Sequence, residues 1–290
     1  MGIQLREEVC LVDARGERLA VTVRTLDDAA DHERFIHLEK EIWGQDFKEC
    51  LPASALMINQ KVGGLVASAF DADGRMLSLI YGLTGPCEGR LLHWSHMMGV
   101  HPDYRRFGLG RQMKLFQRHF LQALGGVDEV QWTYDPMESK NAHLNLNHLG
   151  ALPVQYLHDV YGPGTGLHAG IGTDRFVVSW RINEARTASV LAAPLRTVPP
   201  EHRAAPAVNL DSRLHPATPA LPDAPLVRIA IPRDIQAAKR VPGMGAAWRA
   251  ATRAAFDHYF ARGYTVVRFY SCADTDRGYY VAAAPGKEMS

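Results

Sequence analysis

The order of periodic segments predicts an α/β protein: a mixed central sheet, then a small α/β C-terminal extension after a Pro-rich linker. Three observations predict it. Short strand-type runs alternate with helix-type segments over 20–182, prolines crowd between Pro194 and Pro225, and a strand–helix–strand–strand pattern returns over 226–284. We therefore expect a first domain at 1–182, a Pro/Ala-rich linker at 183–225 and a β-α-β-β extension at 226–290.

The elements follow in order. Residues 20–26 (AVTVRTL) alternate as a strand, and 27–43 read as a helix opened by an acidic first turn. The apolar runs at 62–70 and 76–83 flank Asp71-Ala72-Asp73-Gly74, a turn signal that makes them a hairpin. A third strand, 91–100, stops at Pro102. The best helix begins after Gly108 and Gly110: Met113, Phe116, Phe120 and Leu124 recur at helical spacing until Gly125-Gly126 ends it. A strand at 129–134, a short helix at 141–149 closed by Gly150, and strands at 151–161 and 174–182 complete the domain. Eight of the seventeen prolines then fall between Pro194 and Pro225, so 183–225 reads as an extended linker or a surface strap. Beyond it come a strand at 226–232, a helix at 246–262 with Trp248, Ala255, Phe256, Tyr259 and Phe260 on one face, and strands at 265–270 and 279–284.

The totals narrow the function classes. A chain of 290 residues that is 47% hydrophobic and 22% charged can bury a sizeable core. Its formal net charge of +1 offers no footprint for nucleic acid or an anionic membrane. Cys10, Cys50, Cys87 and Cys272 lie far apart, which argues against structural zinc or a disulfide framework and for a reducing compartment. MGIQLREEVC lacks a signal-peptide apolar run, and Arg6 stands where an N-myristoylation motif needs Ser or Thr. No stretch reaches the ~18 apolar residues of a membrane span. The expected location is the cytoplasm.

The informative stretch is Met98-Gly99-Val100-His101-Pro102-Asp103-Tyr104-Arg105-Arg106-Phe107-Gly108-Leu109-Gly110-Arg111. A strand ends, a glycine-containing turn follows and a helix begins. Amides at a helix start lack intrahelical partners, and the helix dipole adds positive potential. Glycines admit an anion close to the backbone, and Arg105, Arg106 and Arg111 supply charge-assisted bonds, so a phosphate or pyrophosphate fits here. A tight turn that merely caps the helix explains the local pattern equally well. A dinucleotide fingerprint would need glycine at Met113, and a P-loop would need Gly-Lys-Ser/Thr; neither is present.

In context, the strand, the Arg105-x-x-Gly108-x-Gly110 turn, the helix, the next strand and Asn141 near a short helix resemble the GCN5-related N-acetyltransferase (GNAT) superfamily over roughly 20–182. The resemblance implies a GNAT-type sheet and an acyl-CoA co-substrate, acetyl-CoA or another, with no metal. The turn Arg105, Arg106, Phe107, Gly108, Leu109, Gly110 and Arg111 would wrap the pyrophosphate. The backbone of Met98, Gly99 and Val100 would meet the pantetheine arm and the thioester carbonyl, the strand at 129–134 would splay to admit the arm, and Asn141 would flank it. The strings at 93–100, 133–151 and 161–180 look like a GNAT subgroup with a C-terminal extension, encountered beside N-acylamino-acid racemases. That likeness implies an amino acid as acceptor and succinyl-CoA as an alternative donor. Two positions depart from the family: Phe107 stands where glycine is frequent, and Leu146 where many members carry a tyrosine acid.

Acyl transfer to an amine requires a proton acceptor, oxyanion stabilisation and a proton for the leaving thiolate. His96, beside the expected thioester, is the first candidate base, although a histidine satisfied within the strand fits as well. Gly99 marks a candidate bulge. Tyr134, Tyr156 or solvent would protonate the thiolate, and Ser95 is a secondary catalytic candidate. For the acceptor, the candidates are Trp43, Asp46, Asp135, His168, Asp174 and Arg175. His168 lies in a loop with five glycines at 162–172, and Arg175 suits a carboxylate. Metal is not expected: His93 and His96 should point to opposite faces, and His32 to His37 is one residue too long for HExxH. The alternatives are a non-catalytic acyl-CoA-binding module and an interaction scaffold using the proline-rich linker. The partners expected are a small-molecule amine and a second copy in a homodimer, with no nucleic acid and no membrane.

Overall fold

The computed structural model describes residues 3–162 and 171–286. They form a mixed α/β protein that divides into two compact units, 1–132 and 133–290.

The first unit opens with β1 (Arg6–Val12), which pairs antiparallel with β2 (Arg18–Thr25). Next come α1 (Ala29–Trp43) and α2 (Ala53–Lys61). Asp28 caps α1, its side chain accepting from the Asp31 amide at 2.8 Å. Strands β3 (Leu65–Phe70), β4 (Met76–Cys87) and β5 (Arg90–Val100) continue the sheet antiparallel. A 3₁₀ turn over Pro102–Phe107 leads into α3 (Leu109–Leu124), and β6 (Val127–Tyr134) returns parallel to β5. The spatial order is β1-β2-β3-β4-β5-β6. A helical crossover is what a parallel neighbour requires.

Helices cover both faces of this sheet. Phe35 and Leu38 of α1 join Leu56, Val66, Phe70, Leu79, Tyr81 and Met97 in one buried cluster. On α3, Leu109, Met113, Phe116, Phe120 and Leu121 are buried at helical spacing. Covered on both sides, β3 is buried at every residue, which explains its unbroken apolar run.

The second unit holds α4 (Ser139–Ala142), which continues as a π turn over His143–Leu149, and the antiparallel pair β7 (Leu152–Leu157) and β8 (Arg175–Arg181). Then come α5 (Ala185–Ala192), α6 (Pro200–Ala204), β9 (Leu226–Pro232), α7 (Ile235–Ala238), α8 (Met244–Ala261), β10 (Thr265–Cys272) and β11 (Arg277–Ala283). The last three strands form a separate antiparallel sheet in the order β10-β11-β9. Phe176, Phe256 and Tyr280 pack edge to face at its core, with centroids 4.7–5.5 Å apart.

The proline-rich stretch is more ordered than its composition suggested, since it contains α5 and α6. It is also tied along β9: Asn209, fully buried, exchanges two hydrogen bonds with Ala230, and the Val208 amide donates to the Arg228 carbonyl. Proline removes backbone donors, so a neighbouring strand and an asparagine side chain supply the order that the segment cannot generate alone.

Candidate functional site

The turn after β5 is shaped by two residues with restricted or unusual backbone. Pro102 opens the 3₁₀ segment, and Gly108 ends it in the left-handed conformation, at φ 75° and ψ 17°. The amides of Arg111 and Gln112 bond the Gly108 carbonyl. Those of Leu109 and Gly110, in the first turn of the helix, have no partner within it, which makes them candidate donors at its N-terminus. A methyl group at Gly110 would make only ordinary contacts with Met98 and Val100 (3.7 and 4.0 Å), so packing does not demand glycine there.

The arginines of the turn are not equivalent. Arg105 is exposed, and its Nε donates to the Val100 carbonyl at 3.1 Å, which leaves the outer guanidinium edge at the surface. Arg106 donates to Asp13 at 2.9 Å and to Glu17, both on the β1–β2 turn, and lies over the Phe107 ring at 4.5 Å. An anion at the turn would share Arg106 with two carboxylates. Phe107 itself is buried, which accounts for a large residue at that position.

On β5, the irregularity expected at Gly99 lies instead at His96. Register with β4 runs Tyr81↔Met97 and then Gly82↔Ser95, so His96 is the extra residue of a bulge, while Gly99 pairs regularly with Leu79. Close packing explains Gly99: a Cβ there would stand 2.8 Å from Ile42 Cδ1 and 3.1 Å from two Trp43 ring atoms.

The bulge reverses which face each side chain meets. His93 and Ser95 meet α3 through Gln117 and Lys114, as do Met98 and Val100 beside Gly110, whereas Met97 and Gly99 meet α1. His96, exposed, stands edge-on to Tyr81 at 6.1 Å, on the α1 side. His93 and His96 thus occupy opposite faces.

Beside this bulge the sheet opens. β5 and β6 pair from Leu91↔Val127 to Trp94↔Gln131, and among the described residues no register between them continues further. From Ser95 onward, β5 lacks that parallel neighbour, so its backbone groups can accept an extended ligand.

Beneath the opening lies a polar network that sequence reasoning missed. Lys114 Nζ donates to Ser95 Oγ at 2.8 Å and to Gln117 Oε1 at 3.1 Å, and sits 3.7 Å from the Trp132 ring centroid. The Gln117 amide nitrogen faces His93 Nε2 at 3.0 Å. That leaves the His93 proton on Nδ1, directed to Thr84 Oγ1 at 2.9 Å. Burial, with the Lys114 charge beside it, pushes the His93 pKa down to about 3, so this ring is neutral. Burial likewise pushes Lys114 well below its usual value. The available signal was spacing: Lys114, Gln117 and Leu121 form their own 3–4 stripe beside the apolar one.

The remaining candidates fall in different places. In the first unit, Trp43 stacks on Phe47 at 5.1 Å and Asp46 is exposed. In the second unit, Asn141 is exposed at the end of α4. The Tyr134 hydroxyl is buried 3.3 Å from that of Tyr280, and burial raises its pKa. Tyr156 donates to Asp174. Asp135 accepts from Arg249 at 2.7 Å and lies 3.7 Å from Arg175, whose ring neighbour is Tyr161 at 5.1 Å. Burial works to raise the Asp174 pKa, and the Arg253 guanidinium and Tyr156 hydroxyl outweigh it and hold it low. These acids and bases already partner one another, Leu146 is buried, and His168 lies outside the described residues. Among the described residues, no group of three or more His, Cys, Asp or Glu could hold a metal ion.

No family model matches the chain, and no curated protein matches it. It is similar to several solved structures. One is the ribosomal-protein-S18-alanine N-acetyltransferase of Escherichia coli, at 20% identity over 57% of this chain and 96% of that one, with a TM-score of 0.44. A second is an acetyltransferase of the GNAT family from Streptococcus pneumoniae, at 14% identity over 55% and 97%, TM-score 0.45. A third is Arabidopsis thaliana NAA60 in complex with acetyl-CoA, at 14% identity over 57% and 99%, TM-score 0.46.

Proposed function

We propose that this chain is an acyl-CoA-dependent N-acyltransferase of the GNAT kind, moving an acetyl or succinyl group from coenzyme A to a small amine. The observation that carries the reading is the opening between β5 and β6, which starts at Ser95, next to the His96 bulge, on the strand that ends in the Pro102–Gly110 turn. A pantetheine arm is an extended amide chain, and unpaired strand backbone is its natural partner. Leu109 and Gly110 would offer amides to the pyrophosphate, and Arg105 a free outer edge. The Met98–Val100 backbone would polarise the thioester carbonyl, and exposed His96 would take the proton from the attacking amine.

The amino-acid acceptor and the succinyl donor rest on sequence likeness alone. Trp43 and Asp46 are placed on the acceptor side in this reading. Asp135, Asp174 and Arg175 have internal partners that an acceptor would have to share, and Tyr134 and Tyr156 are committed elsewhere, so solvent is the proton source we assign to the thiolate. Four free cysteines fit a reducing cytoplasm.

Thermal unfolding with CoA, acetyl-CoA, succinyl-CoA and NAD tests the reading directly. A ligand at ~100 times its dissociation constant adds roughly 2.7 kcal/mol, a shift of several degrees. CoA species should stabilise the protein and NAD should not, and thiol release with amino-acid acceptors should follow. Absence of any shift with CoA species would overturn the proposal. CoA binding without thiol release from any amine would favour a non-catalytic binding module.

A further inference from the structure

Where the β5–β6 ladder ends, a single side chain reaches both strands. Lys114 Nζ bonds Ser95 Oγ on β5 at 2.8 Å and faces the Trp132 ring on β6 at 3.7 Å, with Gln117 Oε1 as its third partner at 3.1 Å. Two oxygens and an aromatic face match the three N–H directions of an ammonium. None of the three is a carboxylate. The neighbours on each packed element are neutral: His93 and Ser95 on β5, Trp132 on β6 and Gln117 on α3. Lys114 is 2% exposed, so its ammonium form, which burial disfavours, is poorly screened and would gain from an anion held beside Ser95. Such a position favours an anion. In thioester aminolysis, the anion that forms at the end of the acyl carrier is the thiolate.

We propose that Lys114 is a positioning residue of the transfer site: it spans the apex of the β5–β6 opening and, through Ser95, stabilises the coenzyme A thiolate as it leaves. The assignment rests on the acyltransferase reading. The amine nitrogen bonds to the thioester carbon and its proton passes to His96. The carbon–sulfur bond breaks, its electron pair stays on sulfur, and sulfur later takes a proton from water. In this proposal Lys114 holds its proton throughout: burial disfavours the ammonium, and the thiolate that forms beside it favours it. Because Ser95 Oγ accepts from Lys114, its own hydrogen is available to the sulfur.

The test is the ionisation of the thiol of bound CoA, followed by thiolate ultraviolet absorbance in the wild type, Lys114→Met and Ser95→Ala. In the wild type the midpoint should lie at least about one pH unit below that of free CoA, a tenfold gain in acidity. In both variants it should return to within about threefold of free CoA, less than half a pH unit. Affinity for acetyl-CoA, which has no thiol to ionise, should hold in Ser95→Ala, a variant that keeps the lysine in place. A midpoint equal in all three bound proteins would overturn the role of Lys114 and leave the acyltransferase reading standing. A wild type that binds no CoA would overturn that reading, and this assignment with it.

Discussion

His96 owes its exposure to the bulge, and the reading of it as base makes a kinetic prediction. His96→Ala should lower kcat by ~10²-fold or more, the usual contribution of general base catalysis, while CoA affinity stays at the wild-type value. Steady-state kinetics with a binding titration checks this; unchanged kcat removes His96 from the mechanism. Two glycines test packing and backbone separately. Gly99→Ala pushes a methyl group against Ile42 and Trp43 and should cost about 1–3 kcal/mol of stability through overpacking. Gly108→Ala meets no neighbour but must hold φ 75°, at roughly 1–2 kcal/mol for a left-handed L-residue. Chemical denaturation measures both, and Gly108→Ala should also weaken CoA binding through the turn it shapes.

At the scale of elements, the N-cap of α1 offers a direct check. Asp28→Ala removes the acceptor for the Asp31 amide and should cost about 1 kcal/mol in thermal unfolding. What the sequence revealed followed physical strength of signal. Helix α3 was legible because Met113, Phe116, Phe120 and Leu124 repeat at its period and glycines stop it. β1, REEVCLV, was not, because its inward face carries Glu7 beside Val9 and Leu11, none of them fully buried, while Val12 lies on the exposed face. α2 was missed for a similar reason: Met57, Ile58 and Val62 are exposed, so its apolar residues do not mark one buried face. The turn at the candidate site was readable from glycine and arginine spacing. The network under it was not, because a buried lysine looks like any surface lysine until Ser95, Gln117 and Trp132 are seen around it.

Two buried groups give the whole molecule an opposed response to pH. His93 has a folded pKa of about 3, below the ordinary 6.5, so its contribution is present above 6.5 and is lost as pH falls towards 3. Glu39 behaves in the other sense. Burial raises its carboxyl to about 7, against the Leu51 amide and Cys50 thiol, which work to lower it. Its contribution is therefore present below 4.5 and lost as pH rises through 7. Glu39→Gln should stabilise the chain at pH 8 by on the order of 1–3 kcal/mol and leave it unchanged near pH 4. Denaturant titrations at the two pH values measure the difference, and equal effects at both would show that Glu39 is ionised as usual.

The bulge in β5 also bears on how related sequences should be compared. A strand repeats every two residues, so one additional residue is a change of phase that persists to the strand's end. A homologue lacking the residue at position 96 would keep its counterparts of Met97 to Val100 on the same faces, each one position earlier in the sequence. Aligned without a gap, it would seem to have substituted its core, when only the numbering along the strand had shifted.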